Sequence, residues 1–556
     1  MGSFAGQTGD GTREAYWREA LRPHLSRIDN SSSQSSSDAL ESALRREESE
    51  ILAALQTVRA RINALLPITR LPPEIICLII LYHSQIDPFF VEDEEDDIRS
   101  ASIGWIRSTH VCRRWRQIAL AHSVLWSCIP LSLSPTCIST FLDRCKSAPL
   151  RLELHALRSK RAEGKRAEDF VMKNIHRAQS VQIIDWGMSL FTSVLPRMHD
   201  PAPFLEDFEF QDHSSKAQLQ VLSADFLGGF TPRLRRLHFR SPSQFPWSSP
   251  LLVNLVSLTL RVPNMHIQDA LPPPLLCEVL NALERMPALE SLTLLHGLPR
   301  TDVSLSEDRI IHLPHLASLD LTVSSPGCTN LIRHLKIPAN ASVTMQLTYV
   351  GEAVTNFQTF FPVMSACLGL ATTEIPAVTL AIVVPCCDTS LMLQVWRESH
   401  HSSKWTLGGP DLTFIFTVWS AEGGAFSDWD SIGLRRSICH AFSTGYLQTL
   451  LISDSGWKRQ NWKELAQRAP NIWAIIPGGG SEHELCHALC EDFAGVGPHA
   501  DYMFPRLADL EMDDKSMADQ IPELSGVLPG VLAARAARRL QRTTDSAVSP
   551  GDQPNS

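Results

Sequence analysis

The residue types best suited to chemistry in this chain are His483 and His487, which flank Glu484 in the run His-Glu-Leu-Cys-His. On a helix, two His four residues apart share a face and can bind one zinc ion, while the Glu between them can act as a base. This spacing is the pattern of a zinc-dependent hydrolase. It is the strongest indication of an enzyme in the sequence.

The surrounding residues favour an ordinary helix. Residues 488–493 contain no Gly and no His, which an extended zinc motif would supply. Ser481 followed by Glu484 fits a helix-capping pair, which gives the Glu a structural role. Leu485, Leu489 and Phe493 form an apolar stripe, with the two His at its edge. We therefore expect no catalytic residue, no bound metal and no cofactor, and we keep zinc hydrolysis as a minor alternative.

Two other candidate sites are weaker. Residues 478–480 are three consecutive Gly, whose backbone N–H groups could hold an anion, but no Lys-Ser or Lys-Thr pair follows them. Cys386 and Cys387 are adjacent, and adjacent Cys are poor candidates for a shared disulfide or metal site. We expect the Gly run to be a connector.

The elements that would position these residues belong to a repeating pattern, in which an apolar residue is followed by others at +3 and +5. Copies start at Ala178, Leu205, Leu234, Leu255, Leu289 and Leu316. Their spacing of roughly 20 to 35 residues is typical of leucine-rich repeats. Each copy predicts a short strand, and stacking of neighbouring copies would bury their apolar faces together.

The repeat region is expected to cover residues 148–515. Its centre has alternating apolar residues over 343–349 and 412–418, which predict strands, and the repeat pattern returns at Leu447 and Leu507. A helical segment is predicted over 516–542 and a disordered tail over 543–556.

The N-terminal part has a different composition. Residues 1–37 end in a Ser-rich tract and are predicted to be a disordered linker. Residues 38–66 carry apolar residues every seven positions, which predicts a long helix that ends at Pro67. This helix could form a coiled coil with a second copy or lie against the segment that follows.

That segment contains two apolar clusters separated by the acidic run 92–97. The first is Leu71-Pro72-Pro73-Glu74-Ile75-Ile76, where the Pro pair and Glu74 suit a helix start. The second is Val111-Cys112-Arg113-Arg114-Trp115-Arg116-Gln117-Ile118-Ala119, followed by Leu125-Trp126. Val111, Trp115, Ile118 and Ala119 would share one face of a second helix. Together, residues 68–130 form a small helical module.

The order of these clusters resembles the F-box, a helical module that binds a Skp-type adaptor in cullin-RING ubiquitin ligases. The resemblance implies an adaptor-binding site that includes Leu71, Pro72, Pro73, Ile75 and Ile76. It also implies that Val111, Cys112, Trp115 and Trp126 join this contact or fix the module. Combined with degenerate leucine-rich repeats, the arrangement is similar to that of fungal F-box proteins.

This resemblance implies an α+β protein, with an N-terminal helix and an all-α F-box module before an irregular leucine-rich-repeat-like α/β solenoid. Its function would be that of a substrate receptor, which binds the adaptor through the F-box and a protein target through the repeats. A purely structural repeat scaffold is the main alternative. The repeats are degenerate, because the expected Asn or Cys after the last Leu is replaced in four copies by Pro242, Pro263, Gly297 and Ser324.

Composition restricts the partners and the compartment. The net charge of -10 provides no basic surface for nucleic acid, and no apolar run approaches the length of a membrane span. The 13 Cys show no paired spacing, which is typical of a reducing compartment. We therefore expect a cytoplasmic or nuclear protein with protein partners.

Overall fold

The secondary structure is that of a computed structural model. It describes residues 10–31, 37–93, 99–131, 133–156, 161–185, 194–213, 221–241, 244–262, 274–295, 309–350, 360, 363–364, 367, 379–383, 390–397, 410–419, 444–495, 502–511, 529–534 and 536–537. The chain divides into two units, Met1–Ala148 and Pro149–Ser556. Among the described residues, no helix combines the length and the apolar character that crossing a bilayer requires.

The first unit is mainly helical. Its α-helices are α1 (Asp10–Ser31), α2 (Ser37–Leu65), α3 (Pro73–Ile86), α4 (Arg113–Ala121) and α5 (Pro135–Cys145). Short 3-10 helices cover Pro67–Arg70, Gly104–His110 and Ser123–Trp126. Its strands are β1 (Phe90–Asp93), β2 (Arg99–Ser102) and β3 (Cys128–Pro130). The helix predicted to start near Pro73 is therefore confirmed as α3, and the helix predicted to contain Trp115, Ile118 and Ala119 is confirmed as α4.

One expectation for this unit was wrong. Residues 10–31 were assigned to a disordered linker, but they form α1, because Arg, Glu, Ala and Leu are strong helix formers even without a clear apolar period. The acidic run begins in a hairpin, since β1 pairs antiparallel with β2 and Glu92 and Asp93 lie within β1. Residues 94–97 of that run lie outside the described part of the chain.

The heptad helix α2 is confirmed, and none of its described residues is buried. Its seam residues Leu44, Ile51, Leu55, Val58 and Ile62 are all exposed. The structure thus gives no support for burial of this seam against the helical module. Pairing with a second copy stays a prediction.

The second unit is a mixed α/β structure built on a large, mostly parallel sheet. Its strands are β4 (Leu150–Ala156), β5 (Ala178–Asp185), β6 (Asp207–Asp212), β7 (Arg236–Arg240), β8 (Ser257–Arg261), β9 (Ser291–Leu295), β10 (Ile311–His312), β11 (Ser318–Ser324), β12 (Leu335–Lys336), β13 (Ser342–Val350), β14 (Thr379–Val383), β15 (Ser390–Trp396), β16 (Leu412–Trp419), β17 (Thr449–Ser453), β18 (Ala474–Gly478) and β19 (Asp509–Leu510). Its α-helices include α6 (Arg161–Asn174), α7 (Leu276–Glu284), α8 (Ser325–Arg333), α9 (Arg459–Arg468) and α10 (Ser481–Gly495).

Each of the six repeat copies forms a strand, as predicted: β5, β6, β7, β8, β9 and β11. These strands pair in parallel in that order, and β4 pairs with β5. The apolar residue that starts each copy is buried, as Leu205, Leu234 and Leu289 illustrate. The repeating spacing thus reflects burial of one sheet face.

The centre of the sheet departs from chain order. The predicted strands at 343–349 and 412–418 are β13 and β16, and they pair with each other in parallel. After β16 the order is β15, β14, β17, β18 and β19, and β15 is antiparallel to both of its neighbours. The strand order thus departs from chain order in the region where the repeat pattern gives way to alternating apolar residues.

The ends of the second unit are described only in part. Residues 529–534 are helical, within the predicted segment 516–542. Residues 516–528 and the predicted tail 543–556 lie outside the described residues, as do Cys386 and Cys387.

Candidate functional site

The core of the helical module is built around Trp126. Its side chain is buried, and its indole N–H donates a hydrogen bond to the carbonyl of Ala119, at 2.8 Å. The ring centroid lies 5.1 Å from those of Trp105 and Phe141, in edge-to-face arrangements. The guanidinium of Arg144 lies 4.2 Å from the ring centroid. These contacts fix the position of α4 relative to the residues that follow it.

The Leu71-Pro72-Pro73 segment is anchored to α4. The side chain of Arg114 donates a hydrogen bond to the carbonyl of Leu71, at 2.6 Å. Pro72 and Pro73 are exposed, and α3 starts at Pro73 with Glu74 in its first turn. The segment therefore presents a fixed apolar edge next to the start of α3.

Helix α3 is apolar on two opposite sides. Ile76, Cys77 and Ile80 are buried and face the interior of the module. The opposite side carries exposed apolar residues with helical spacing, which we call the α3 stripe: Ile75, Leu78, Ile79, Tyr82 and Ile86. Contiguous exposed apolar side chains of this kind mark an interaction surface.

The exposure within the α3 stripe is large. Ile75 is 41% exposed, Tyr82 is 66% exposed and Ile86 is 83% exposed. Burying a side chain of this size stabilises a complex by about 1.5–3 kcal/mol relative to leaving it in water. The stripe can therefore supply the apolar centre of a protein interface.

The predicted adaptor-binding residues separate into accessible and buried ones. Accessible residues are Leu71, Pro72, Pro73, Ile75, Val111 and Cys112. Ile76 is fully buried, so its expected contact with the adaptor is corrected to a packing role. Trp115 and Trp126 are also core residues, as expected of residues that fix the module. Val111 is exposed and precedes α4, so its assignment to the buried helix face was wrong.

Leu78, Ile79, Tyr82 and Ile86 were not predicted as part of the site. Their helical spacing from Ile75 is visible in the sequence, but the apolar run does not show which side of the helix the module buries. An apolar residue at almost every position means that a helix is apolar all round, and such a helix needs partners on more than one side.

The chain was also compared with known proteins. A scan against protein-family models finds no match, and a search of curated proteins finds no significant relative.

The His pair lies on α10, as predicted. The Nε2 atoms of His483 and His487 are 3.2 Å apart, and the two rings lie at the accessible edge of the helix. Among the described residues, no group of three or more His, Cys, Asp or Glu side chains is arranged to hold a metal ion.

The residues between the two His have other roles. The Glu484 carboxylate accepts hydrogen bonds from the backbone and the side chain of Arg459 on α9, at 3.3 and 3.4 Å. The prediction that Glu484 pairs with Ser481 in a helix cap is therefore wrong. Burial raises the pKa of the Cys486 thiol to about 12, so this thiol stays protonated near neutral pH.

The Gly run forms a tight turn before α10. Gly479 and Gly480 have φ values of +61° and +93°, which residues other than Gly rarely adopt. A Cβ at Gly479 would come within 2.9 Å of the Ser453 Oγ. These Gly therefore allow close approach of the two loops, which agrees with the connector prediction.

Changing both His483 and His487 to Gln is expected to change the free energy of unfolding by no more than about 0.5 kcal/mol, since both lie at an accessible edge. Thermal denaturation with and without a chelator, together with elemental analysis of the purified protein, measures this. One zinc per wild-type chain that is lost in the double variant, with a lower melting temperature, would contradict it.

Proposed function

We propose that this protein is a substrate-receptor subunit of an SCF-type cullin-RING ubiquitin ligase. The α3 stripe carries the proposal, because it continues the accessible Leu71-Pro72-Pro73 edge on a module whose helix order resembles that of the F-box. This surface binds a Skp-type adaptor. Ubiquitin transfer belongs to the partner ligase, so the protein itself is not an enzyme.

The second unit supplies the target-binding part of this function. A mostly parallel sheet with one buried face leaves the side chains of its other face available to a protein target. We interpret the strands from β5 to β11 as degenerate leucine-rich repeats, which present such a face over a long distance. The receptor then contributes proximity and orientation of the target to the ligase. A cytoplasmic or nuclear location belongs to the same proposal.

The decisive experiment is direct binding of the purified full chain to a purified Skp-type adaptor, measured by isothermal titration calorimetry. Binding near micromolar affinity or tighter supports the proposal. A structural scaffold has no adaptor partner, so the absence of binding at high micromolar concentration would overturn the proposal and favour the scaffold.

The variant Ile79→Glu/Tyr82→Glu is expected to weaken adaptor binding by about 30-fold or more. Truncation or charging of a central interface residue costs about 2 kcal/mol or more, and each 1.4 kcal/mol is tenfold in affinity. Both side chains are exposed in the free protein, so the module itself should stay folded.

The matched control is Leu25→Glu/Leu52→Glu on α1 and α2, which introduces the same two charges at residues that are 44% and 48% exposed and lie outside the stripe. Its affinity for the adaptor should stay within about twofold, since surface substitutions away from a contact usually have effects below roughly 0.5 kcal/mol. A Leu71→Ala/Pro72→Ala variant should also weaken binding. Unchanged affinity in both stripe and edge variants would place the adaptor site elsewhere.

A further inference from the structure

The less buried face of β6, β7, β8, β9 and β11, here called the open face, carries a row of polar side chains in register. The row is Glu209, His238, Thr259, Thr293 and Asp320 on consecutive neighbours in the sheet. A second row lies two residues further along the same strands, where Arg240 of β7 is paired with Arg261 of β8. Residues two apart in a strand share a face, so His238 and Arg240 lie on the same side.

The two Arg side chains are adjacent, and neither takes part in an ion pair among the described residues. Burial raises the pKa of Asp320 in the first row, and the positive charge of Arg261 opposes this rise. Neighbouring strands lie about 4.8 Å apart, which places the two guanidiniums next to each other. Among the described residues, the ion pairs of this region involve Arg236 with Asp207 and His238 with Glu209, and none involves Arg240 or Arg261. The Nε of Arg261 is buried without a hydrogen-bond partner in the described part of the chain.

His238 adds a second nitrogen without a hydrogen-bond partner among the described residues. Its Nδ1 lies 3.7 Å from Glu209 Oε1, whereas its Nε2 is buried and has no partner among the described residues. Burial lowers the pKa of His238, and the positive charges of Arg261 and Arg240 lower it further, against the opposing effect of Glu209. The imidazole is thus mainly neutral near pH 7.

A partly buried hydrogen-bond donor without a partner costs free energy. A ligand removes this cost when its oxygen atoms accept the missing hydrogen bonds. Guanidinium groups match carboxylates with two parallel hydrogen bonds each. The nearby Glu209 and the neutral His238 limit the positive charge of the site, which favours singly charged groups over a doubly charged phosphoryl group.

We propose that Arg240 and Arg261 bind neighbouring Asp or Glu side chains of an acidic segment in a protein partner. Under the proposed function this segment belongs to the target, and the inference rests on that function for the identity of the partner. The contacts of Arg240 and Arg261 with the acidic segment do not depend on adaptor binding. His238 supplies a further hydrogen bond to one of the carboxylates.

The test uses the full chain and fluorescein-labelled octapeptides of Glu, of Gln and of alternating Gly and phosphoserine, with fluorescence anisotropy as the readout. The wild type should bind the Glu peptide more tightly than the other two, and added salt should weaken this binding. Equal binding of the Glu and Gln peptides would overturn the site. Tighter binding of the phosphoserine peptide would overturn its assignment to carboxylates.

The variant Arg240→Gln/Arg261→Gln is expected to bind the Glu peptide about tenfold or more weakly, since a charge-assisted hydrogen bond contributes about 1.5–3 kcal/mol. The matched control is Arg233→Gln/Arg235→Gln, which removes the same charge from exposed positions just before β7. Its affinity should change less than about threefold, because Arg233 and Arg235 lie at the other end of β7 from Arg240 and attract the peptide only at long range. Their own contacts are with the Phe204 ring and the Asn254 carbonyl. Equal losses of affinity in both variants would show that net charge alone explains the binding, and this would overturn the site.

Adaptor binding is measured in parallel. The Arg240→Gln/Arg261→Gln variant should keep wild-type affinity for the adaptor, and wild-type hydrogen–deuterium exchange of peptides from residues 205–262 verifies that its sheet is folded. If the wild type binds the Glu peptide but no adaptor, the proposed function fails and the acidic-segment site stands. If the adaptor binds and the Glu peptide does not, the site fails and the proposed function stands.

Discussion

Replacing Trp126 by Ala is expected to destabilise the helical module by about 3–5 kcal/mol, the cost of emptying a buried aromatic position. The indole has 2% of its surface exposed, donates a hydrogen bond to Ala119 and contacts the rings of Trp105 and Phe141. Removing it leaves a cavity and an unpaired carbonyl. Hydrogen–deuterium exchange of peptides from residues 100–130 measures the loss as faster exchange.

The matched control is Tyr82→Ala, which removes another large aromatic side chain from the same unit. Tyr82 is 66% exposed, so its loss should change exchange in the module very little. Because Tyr82 belongs to the α3 stripe, the same variant should weaken adaptor binding. Wild-type exchange in the Trp126→Ala variant would show that the module does not depend on this aromatic core.

The strands of the second unit could be predicted from the sequence wherever burial alone decides the pattern. Leu205, Phe208 and Phe210 illustrate this, because all three are buried and their spacing at +3 and +5 places them on the inner side of β6 and the turn before it. Local spacing carries this information, since side chains alternate between the faces of a strand.

Strand order could not be predicted in the same way. The alternating residues of β13 and β16 predict two strands, but nothing in that alternation specifies that they pair with each other. Pairing of distant segments depends on loop geometry and on competing partners. The antiparallel β15, inserted between β14 and β16, is a consequence of that long-range competition.

The candidate site was predictable in its location and only partly in its residues. The Leu71-Pro72-Pro73 edge is accessible, whereas Ile76 is buried, because it faces the interior of the module and its neighbour Ile75 does not. A rotation of 100° per residue separates these neighbours. The side of α3 that is buried is the side that the rest of the module covers. The covering residues, such as Trp105, are distant from α3 in the sequence.

Arg240 and Arg261 show a different limit. They are 21 positions apart, and the repeat pattern predicts burial only for the apolar residues between them. Neither Arg belongs to a recognisable motif. The parallel register of β7 and β8 places them side by side. A charged pair on a sheet face is therefore visible only once the strand pairing is known.

Replacing Phe239 by Ala is expected to destabilise the sheet around β7 by about 3–5 kcal/mol. Phe239 is 2% exposed, its ring centroid lies 5.4 Å from that of Phe210 in a stacked arrangement, and Phe245 lies 5.5 Å away in an edge-to-face contact. The loss removes the middle ring of this aromatic cluster. Hydrogen–deuterium exchange of peptides from residues 205–262 should become faster.

The effect of Phe239→Ala should be local, because strands of a repeating sheet depend mainly on their neighbours. Peptides from α9 and α10 should therefore keep wild-type exchange, and faster exchange there would show that the second unit unfolds as a whole. Phe204→Ala is the matched control, since Phe204 is 45% exposed and its loss should cost about 1 kcal/mol or less. Phe239 precedes Arg240 on the opposite face of β7, so Phe239→Ala should also weaken binding of the acidic peptide by disordering the strand. The Arg240→Gln/Arg261→Gln variant should weaken that binding with wild-type exchange, and this difference separates a direct contact from a structural effect.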